Sequence, residues 1–227
     1  MFFLFYKDSY IAIIGDIKKS KKLKDRYIVQ NQLKNLLNNI NVKYRKDISS
    51  KFTITLGDEF QGLLHDGSNV MNIIEEIQRD IYPVEIRFGI GVGQIATEIN
   101  VDMAIGADGP GYYKAREAIE YLKENERKNK THSSDIRIEI DGDNGKASIM
   151  INTILSLLAV VKYNWTDRQR EIIWDIVKHQ DSQAKCAARL KVAQSTIQRS
   201  LVNGNYYAYK DAMDTIGNVL KEIKKDV

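Results

Sequence analysis

The spacing of apolar residues changes repeatedly along the 227-residue chain, and the order of these changes constrains the fold more than any other feature. Alternating or β-branched runs predict strands, whereas apolar residues three or four positions apart predict amphipathic helices. The first 145 residues then follow the order β-α-β-β-α-β-α-β, which indicates an α+β, ferredoxin-like split βαβ core with additions. The predicted strands are Tyr10–Gly15, Lys51–Leu56, Phe60–Leu64, Val84–Gly93 and Asp135–Asp141, and the predicted helices are Arg26–Asn39, Val70 to Ile81 and Gly111–Asn125.

The strand Val84–Gly93 has an unusual face. In its later half, Gly89, Gly91 and Gly93 stand where the alternation calls for polar side chains. Glycines in a strand leave room for another backbone or a ligand to approach closely, and a tight helix-on-sheet contact needs the same room. Both interpretations stay open from the sequence.

A second, all-helical part follows a cluster of turn formers at Asp141–Gly145. Ala147–Tyr163 is an apolar connecting segment of helical period, and Thr166 with Gln169 has the spacing of a capping box that opens a helix to His179. We therefore predict two domains, residues 1–145 and residues 146–227.

Composition predicts a cytoplasmic protein that does not enter the membrane. The apolar segment Met1–Tyr6 is too short for a leader and is interpreted as an edge strand, and no apolar run approaches the roughly 20 residues that cross a bilayer. Cys186 is the single cysteine and cannot form an internal disulfide. The three histidines offer no zinc-ligand spacing with it.

Charge is divided unevenly between the two parts. Residues 146–227 carry 13 basic and 8 acidic side chains, a net charge of +5, whereas residues 1–145 carry a net charge of −1. An anionic partner such as double-stranded DNA would therefore dock at the C-terminal part, although a solvated helical face of this charge is also common.

The segment Ser182–Leu201 resembles a helix-turn-helix, with small residues Ala187 and Ala188 in its first helix and a turn at residues 191–193. Apolar residues fall where such a motif buries its contacts, at Leu190, Val192, Ile197 and Leu201. The outward positions of the second helix carry side chains able to contact bases and phosphates, namely Gln194, Thr196, Gln198 and Arg199. A short helical hairpin used for assembly would have similar spacing.

Two acidic positions stand out in the first part: Asp16, at the end of the first strand, and Asp58 with Glu59, at the tip of a predicted hairpin. Carboxylates on adjacent strand ends can hold Mg²⁺ against a nucleoside triphosphate. The alternative is that Asp16 caps a turn and that Asp58 and Glu59 are exposed hairpin charges.

Leu56–Phe60 resembles the GGDEF signature of diguanylate cyclases, Ile86–Gly93 resembles their next strand, and Tyr113–Arg116 resembles part of their following helix. The segments Gly57–Gly62 (GDEFQG) and Gly106–Tyr112 (GADGPGY) are similar to those of the SatD family, and this resemblance covers essentially the whole chain. It implies a nucleotide-cyclase-like palm, the α/β domain that holds the substrate in such enzymes.

The resemblance also implies roles for individual residues. Asp16, the carbonyl of Ile17, and Asp58 with or without Glu59 would bind Mg²⁺ (or Mn²⁺), and the three carboxylates would be catalytic. Residues that would contact the nucleotide phosphates are Gly57, Lys18, Lys19, Lys21, Lys22 and Arg116, although the lysine run could equally be a solvated turn. Leu56 replaces the first glycine of the cyclase signature, and Lys18 replaces a common acidic residue, so diguanylate synthesis is not expected.

Our leading hypothesis is a nucleotide- and Mg²⁺-binding palm coupled to a DNA-binding domain, in a chain that can form a homodimer. One alternative is an active nucleotidyl cyclase or nucleotidyltransferase whose C-terminal helices serve assembly. Another is a DNA-binding regulator whose palm is a scaffold without a ligand.

Overall fold

The computed structural model describes residues 9–55, 57–128, 134–143 and 146–223. In the palm the elements are β1 (Tyr10–Ile17), α1 (Arg26–Lys43), β2 (Ile48–Ile54), β3 (Glu59–Leu64), α2 (Val70–Ile81), β4 (Ile86–Gly93), α3 (Pro110–Lys128) and β5 (Ile136–Ile140). The sequence-based order of strands and helices is confirmed. The predicted edge strand Met1–Tyr6 lies outside the described residues.

The five strands form one sheet in the order β2-β3-β1-β4-β5, in which β4 and β5 are parallel and the other neighbours are antiparallel. The first four strands have the ferredoxin-like arrangement, and β5 extends it. The fold class is therefore an α+β palm followed by helices.

The alternation of side chains along β1 divides the molecule into layers. Ile11 and Ile13 belong to the core that contains the apolar residues of α1 and α2. Ala12 and Ile14 face the other way and pack with Ala115 and Ile119 of α3. One helix, α3, therefore covers the sheet face toward which the even-numbered residues of β1 point.

The glycines of β4 make room for this helix. A Cβ atom on Gly91 would lie 2.0 Å from the carbonyl oxygen of Gly111, and one on Gly89 would lie 2.3 Å from that of Ala115. Of the two interpretations left open by the sequence, the helix-on-sheet contact is the one observed.

The helices after the palm are α4 (Lys146–Tyr163), α5 (Asp167–His179), α6 (Gln183–Leu190), α7 (Gln194–Asn203) and α8 (Tyr206–Leu220). Helix α4 packs on β5, where Asn152 accepts from the backbone N–H of Ile138 at 2.9 Å and donates to its carbonyl oxygen at 2.8 Å. The Asn152 side chain therefore satisfies backbone hydrogen-bonding groups that β5, as an edge strand, would otherwise leave unpaired.

Helix α8 packs on α2, and α5, α6 and α7 pack on one another beside it. The N–H of Gly67, just before α2, donates to the carbonyl oxygen of Ile223 at 3.0 Å, and the core of the sheet continues into residues such as Ile173 and Ile197. The domain boundary at 145/146 stays a prediction. No helix among the described residues is long and apolar enough to cross a membrane.

Candidate functional site

Strand register brings two of the predicted carboxylates together. Asp16 of β1 is the direct partner of Glu59 on β3 and of Arg87 on β4. Directly opposed residues of neighbouring strands project from the same face with Cβ atoms about 5 Å apart. Both carboxylate residues are nearly buried, with exposed fractions of 8% for Asp16 and 7% for Glu59. Asp16 therefore lies in a row of charges under α3 and does not cap a turn.

Basic side chains surround this pair of carboxylates. Arg87 forms an ion pair with Asp16, and the ammonium of Lys123 on α3 lies 3.4 Å from the same carboxylate. Arg116, one of the predicted residues, approaches Glu59 from α3, with its Nη1 atom 2.9 Å and 3.1 Å from the two carboxylate oxygens. Arg116 thus pairs with a carboxylate of the site, and its predicted contact with nucleotide phosphates stays a prediction.

The row of charges continues away from Glu59. The second side of the Arg87 guanidinium binds Glu126 of α3, with Nη2 2.6 Å from Oε2. Burial disfavours the charged forms of both Glu126 and Arg87. The pKa of Glu126 is nevertheless lowered, because Arg87 and Lys18 donate hydrogen bonds to it, and the pKa of Arg87 is raised, because it donates to Glu126 and Asp16. The pair is therefore held in its ionised form.

Lys18 has a different environment from the other lysines of its run. Its ammonium lies 3.0 Å from Glu126 and 2.5 Å from Asp135, and despite burial these two carboxylates raise its pKa. Lys19, Lys21 and Lys22 are exposed, and Lys19 adopts the left-handed conformation with φ of +52°. Lys18 thus belongs to the buried ion-pair network, whereas the other three lysines lie on the solvent side of the loop after β1.

Asp58 connects the hairpin tip to that loop. Its carboxylate accepts a hydrogen bond from the hydroxyl of Ser20, and its carbonyl oxygen accepts from the N–H of Ile17 at 3.0 Å. Gly57 has φ of +62°, which favours glycine, and its carbonyl oxygen accepts from Gln30 of α1. Leu56, the departure from the cyclase signature, lies outside the described residues.

Sequence reasoning missed Arg87, Lys123 and Glu126. Lys123 follows Arg116 by seven residues, two helical turns, and this spacing was a usable signal that both face the same side of α3. Arg87 and Glu126 gave no comparable signal, because their roles depend on which strands pair and on where the helix lies.

The donors present fit Mg²⁺ in part. Two carboxylates in register offer the oxygen ligands that Mg²⁺ prefers, but the described residues contain no cluster of three acidic, histidine or cysteine side chains that could hold a metal. Two carboxylates can hold a cation whose other ligands are water and phosphate oxygens. A magnesium ion bound to a nucleotide has such ligands.

In the α6–α7 segment the turn lies where it was predicted, and α7 (Gln194–Asn203) extends beyond the predicted second helix, Ser195–Leu201, at both ends. Lys191 begins the turn with φ of +53°, and Ile197 and Leu201 of α7 are buried as predicted. Gln194, Gln198 and Arg199 are exposed, and Thr196 is partly buried. Leu190 and Val192 pack at the edge of the core, and Ala187 is buried, but Ala188 is exposed because it lies on the solvent side of α6.

One of the exposed residues takes part in a polar cluster on the surface. The side chain of Gln198 accepts from Gln183 of α6 at 2.6 Å, and the hydroxyl of Tyr207 lies 3.4 Å from the same oxygen. The outward face of α7 is thus polar and accessible, as a surface that contacts another molecule must be. DNA binding by this face stays a prediction.

The fold is an α+β palm, with a row of paired charges between its sheet and α3, followed by a helical C-terminal part. The SatD family model matches residues 10–215, and the chain belongs to the SatD family. No curated protein matches the chain.

Solved structures with similar folds include a bacterial light-regulated adenylyl cyclase, with a TM-score of 0.41, 15% identity, and coverage of 57% of this chain and 74% of that one. The guanylate cyclase domain of RhGC from Catenaria anguillulae has a TM-score of 0.33 at 16% identity, covering 50% and 73%. A regulator of polyketide synthase expression from Bifidobacterium adolescentis has a TM-score of 0.32 at 11% identity, covering 93% and 86%.

Proposed function

We propose that the palm of this protein binds a nucleoside triphosphate together with Mg²⁺ (or Mn²⁺), and that its bound state is coupled to DNA binding by the C-terminal helices. The observation that carries the proposal is the register of Asp16 with Glu59, two buried carboxylates that are matched by Arg87, Lys123 and Arg116. The cation would supply charge neutralisation of the phosphates.

Charge balance supports a joint ligand in preference to a cation or an anion alone. A cation taken by Asp16 and Glu59 would leave Arg116 without its partner and Lys123 with only the exposed Glu120, and phosphates can replace the lost carboxylates. Phosphate alone would draw the basic side chains away and leave buried carboxylates unpaired, which is costly. We therefore expect the cation and the nucleotide to bind cooperatively.

Calorimetric titration with ATP, GTP, CTP and UTP, each with and without Mg²⁺, tests this part. We expect binding to need both components, and Asp16→Asn and Glu59→Gln to weaken it by about tenfold or more. Glu124→Gln, which removes an exposed carboxylate of α3, is the matched control and should bind as the parent does. Thermal melts verify that each variant is folded.

Asp58→Asn separates two roles for the hairpin tip. If Asp58 ligates the cation, its loss should weaken nucleotide binding in the same way as Glu59→Gln. If it acts through its bond to Ser20, Ser20→Ala should reproduce its effect. Absence of any triphosphate binding at millimolar concentration, or parent-like binding by both Asp16→Asn and Glu59→Gln, would refute the palm site.

We propose that catalysis at this site is slow or restricted. Lys18 stands where cyclases commonly carry an acidic residue, and its ammonium is bound to Glu126 and Asp135. Chromatography after long incubation with GTP measures product formation. Rapid formation of cyclic di-GMP would favour the alternative of an active cyclase.

The DNA-binding part of the proposal is supported by the exposure of Gln194, Gln198 and Arg199 on α7 and by the net charge of +5 over residues 146–227. Helix α4 packs on β5, so the full chain is the appropriate material. Fluorescence anisotropy with duplex DNA at low salt should detect binding that falls steeply as salt rises.

Arg199→Ala should weaken DNA binding by about 1–3 kcal/mol if the guanidinium contacts a base with two hydrogen bonds. Arg45→Ala, at an exposed arginine of the palm, is the control and should have no effect. Failure to bind any duplex, or binding that both Arg199→Ala and Gln198→Ala leave unchanged, would favour an assembly role for these helices.

We also propose a homodimer and a cytoplasmic location. One face of α4 exposes Ile149, Met150, Leu157 and Val160, with exposed fractions between 48% and 66%, and residues 147–161 carry no charge. An uncharged apolar stripe is self-complementary in a two-fold interface. Light scattering should give a dimer that Leu157→Glu dissociates, whereas Val42→Glu, at an exposed valine of α1, leaves it intact.

A further inference from the structure

A cleft of about 220 Å³ lies outside the palm site, between the segment before β4, the end of α4 and the middle of α5. Three aromatic residues line it, Tyr82, Tyr163 and Trp174, and the ring centroids of Tyr82 and Trp174 are 5.0 Å apart. Three cations line it as well, Lys18, Lys162 and Arg170, and Lys18 is already paired with Asp135. We call this cavity the Trp174 cleft.

Lys162 and Arg170 donate their hydrogen bonds to neutral oxygens. The ammonium of Lys162 binds the amide oxygen of Gln78 at 2.6 Å, and the guanidinium of Arg170 binds the carbonyl oxygen of Lys162 at 3.0 Å. The Nε atom of Arg170 is buried and has no hydrogen-bond partner among the described residues. Two partly buried cations whose hydrogen bonds go only to neutral groups are costly to a fold unless an anion is nearby.

The carboxylates beside the cleft do not supply that anion. Asp135 is bound by Lys18 at 2.5 Å, and Glu85 is exposed at the rim. Asp135 and Glu75 act on Lys162 only through space, and Glu75 forms its own hydrogen bond with Tyr209. Burial lowers the pKa of Lys162, in keeping with an ammonium that lacks a close counter-ion.

The aromatic rings fix the position of the guanidinium. The central carbon of Arg170 lies 5.1 Å from the ring centre of Tyr82 and 5.3 Å from that of Trp174. Stacking on ring faces restrains a guanidinium, so little further ordering is needed when it binds an anion. The cleft is therefore already organised for a ligand.

We propose that the Trp174 cleft binds a small planar carboxylate, aromatic or heteroaromatic, whose anionic group pairs with Lys162 and Arg170. The volume corresponds to about seven water molecules, so it suits a single ring with one carboxylate and excludes a nucleotide. The ring would lie against Tyr82 and Trp174. The cleft borders the row of charges at Lys18 and Asp135, but the proposal does not depend on nucleotide binding there.

Benzoate is the probe, and benzamide and benzylamine are its neutral and cationic counterparts of similar shape. Calorimetry with the full chain should detect saturable benzoate binding, with benzamide weaker by about tenfold or more and benzylamine without measurable affinity. Benzoate that fails to bind up to about 10 mM would refute the proposal. Benzamide that binds as well as benzoate would also refute it, because the cations would then have no role.

Two variants locate the site. Lys162→Met keeps the length of the side chain but removes its charge, and should weaken benzoate binding by about tenfold or more. Ala159→Met fills the cleft without changing charge and should have a similar effect. Lys128→Met, at an exposed lysine of α3, is the control and should bind as the parent does. Parent-like binding by folded Lys162→Met and Ala159→Met would refute the assignment.

Discussion

The close contact between α3 and β4 can be tested by adding a single methyl group at Gly91. A Cβ there would lie 2.0 Å from the carbonyl oxygen of Gly111 and 2.2 Å from the amide nitrogen of Ala115. An ordinary contact needs about 3.5 Å, so the shortfall is about 1.5 Å. Both neighbours are backbone atoms of α3 and cannot rotate away, so the helix itself has to move.

This displacement of α3 determines how much free energy of unfolding Gly91→Ala should cost. Overpacking in a well-packed interior typically costs about 1–3 kcal/mol, and a backbone clash belongs at the upper end of that range. For a chain of this length, a loss of about 3 kcal/mol lowers the melting temperature by about 6–12 °C. Moving α3 also lengthens the 2.9 Å contact between Arg116 and Glu59, so affinity for the nucleotide should fall with stability.

Urea unfolding and thermal melts measure the change, with Gly217→Ala as the matched control. Gly217 lies in α8, and a Cβ there would meet no atom within 4 Å. The control should raise stability by up to about 1 kcal/mol, because alanine favours a helix. If Gly91→Ala changes the free energy of unfolding by less than about 0.5 kcal/mol, α3 does not lie against the glycines as described.

Asn152, Glu75 and Cys186 give three more measurable expectations. Asn152→Leu leaves the N–H and carbonyl of Ile138 unpaired and should cost about 2–4 kcal/mol in urea unfolding, whereas Asn164→Leu, at an exposed position, should cost little. Burial raises the pKa of Glu75, so the folded state binds the proton more tightly than the unfolded state. The parent should therefore lose stability relative to Glu75→Gln between pH 4 and pH 8, and equal pH profiles would contradict this. Burial raises the pKa of the Cys186 thiol to about 12, so it should react with a thiol reagent at pH 8 only after unfolding, and rapid labelling of the folded protein would contradict this.

The order of strands and helices was predictable because hydrophobic period is a local property. Strand β1 was predicted from Tyr10–Gly15, and it continues to Ile17. The difference matters for Asp16, which lies inside the paired strand and so faces the same side as Glu59 and Arg87. Register is a property of two strands together, and no local pattern around Asp16 specified it.

The charged residues show the same limit of local sequence patterns, which do not specify contacts between distant parts of the chain. Four of the side chains predicted for the palm site, Asp16, Lys18, Glu59 and Arg116, lie in one cluster of ion pairs, and their roles stay predictions. Their partners come from distant parts of the chain, as Asp135 does for Lys18. The glycines of β4 illustrate it differently. The spacing of these glycines predicted that some group lies close to β4. Which group it is depends on the path of the chain between β4 and α3, and the local sequence does not specify that path.

Helix α3 therefore determines both the packing and the charge of the candidate site. It can approach the sheet only because Gly89 and Gly91 lack side chains, and this approach brings Arg116, Lys123 and Glu126 within reach of the strand charges. The resulting cluster joins the strands to α3 through four acidic and four basic side chains, Asp16, Glu59, Glu126 and Asp135 with Lys18, Arg87, Arg116 and Lys123. Lys123 also pairs with the exposed Glu120 of its own helix. Because the cluster is balanced without any ligand, a metal or a phosphate that entered alone would leave buried charges unmatched. A ligand that brings both signs would exchange ion pairs one for one, and this is the physical reason to expect that nucleotide and cation affinities at this site rise together by the same factor.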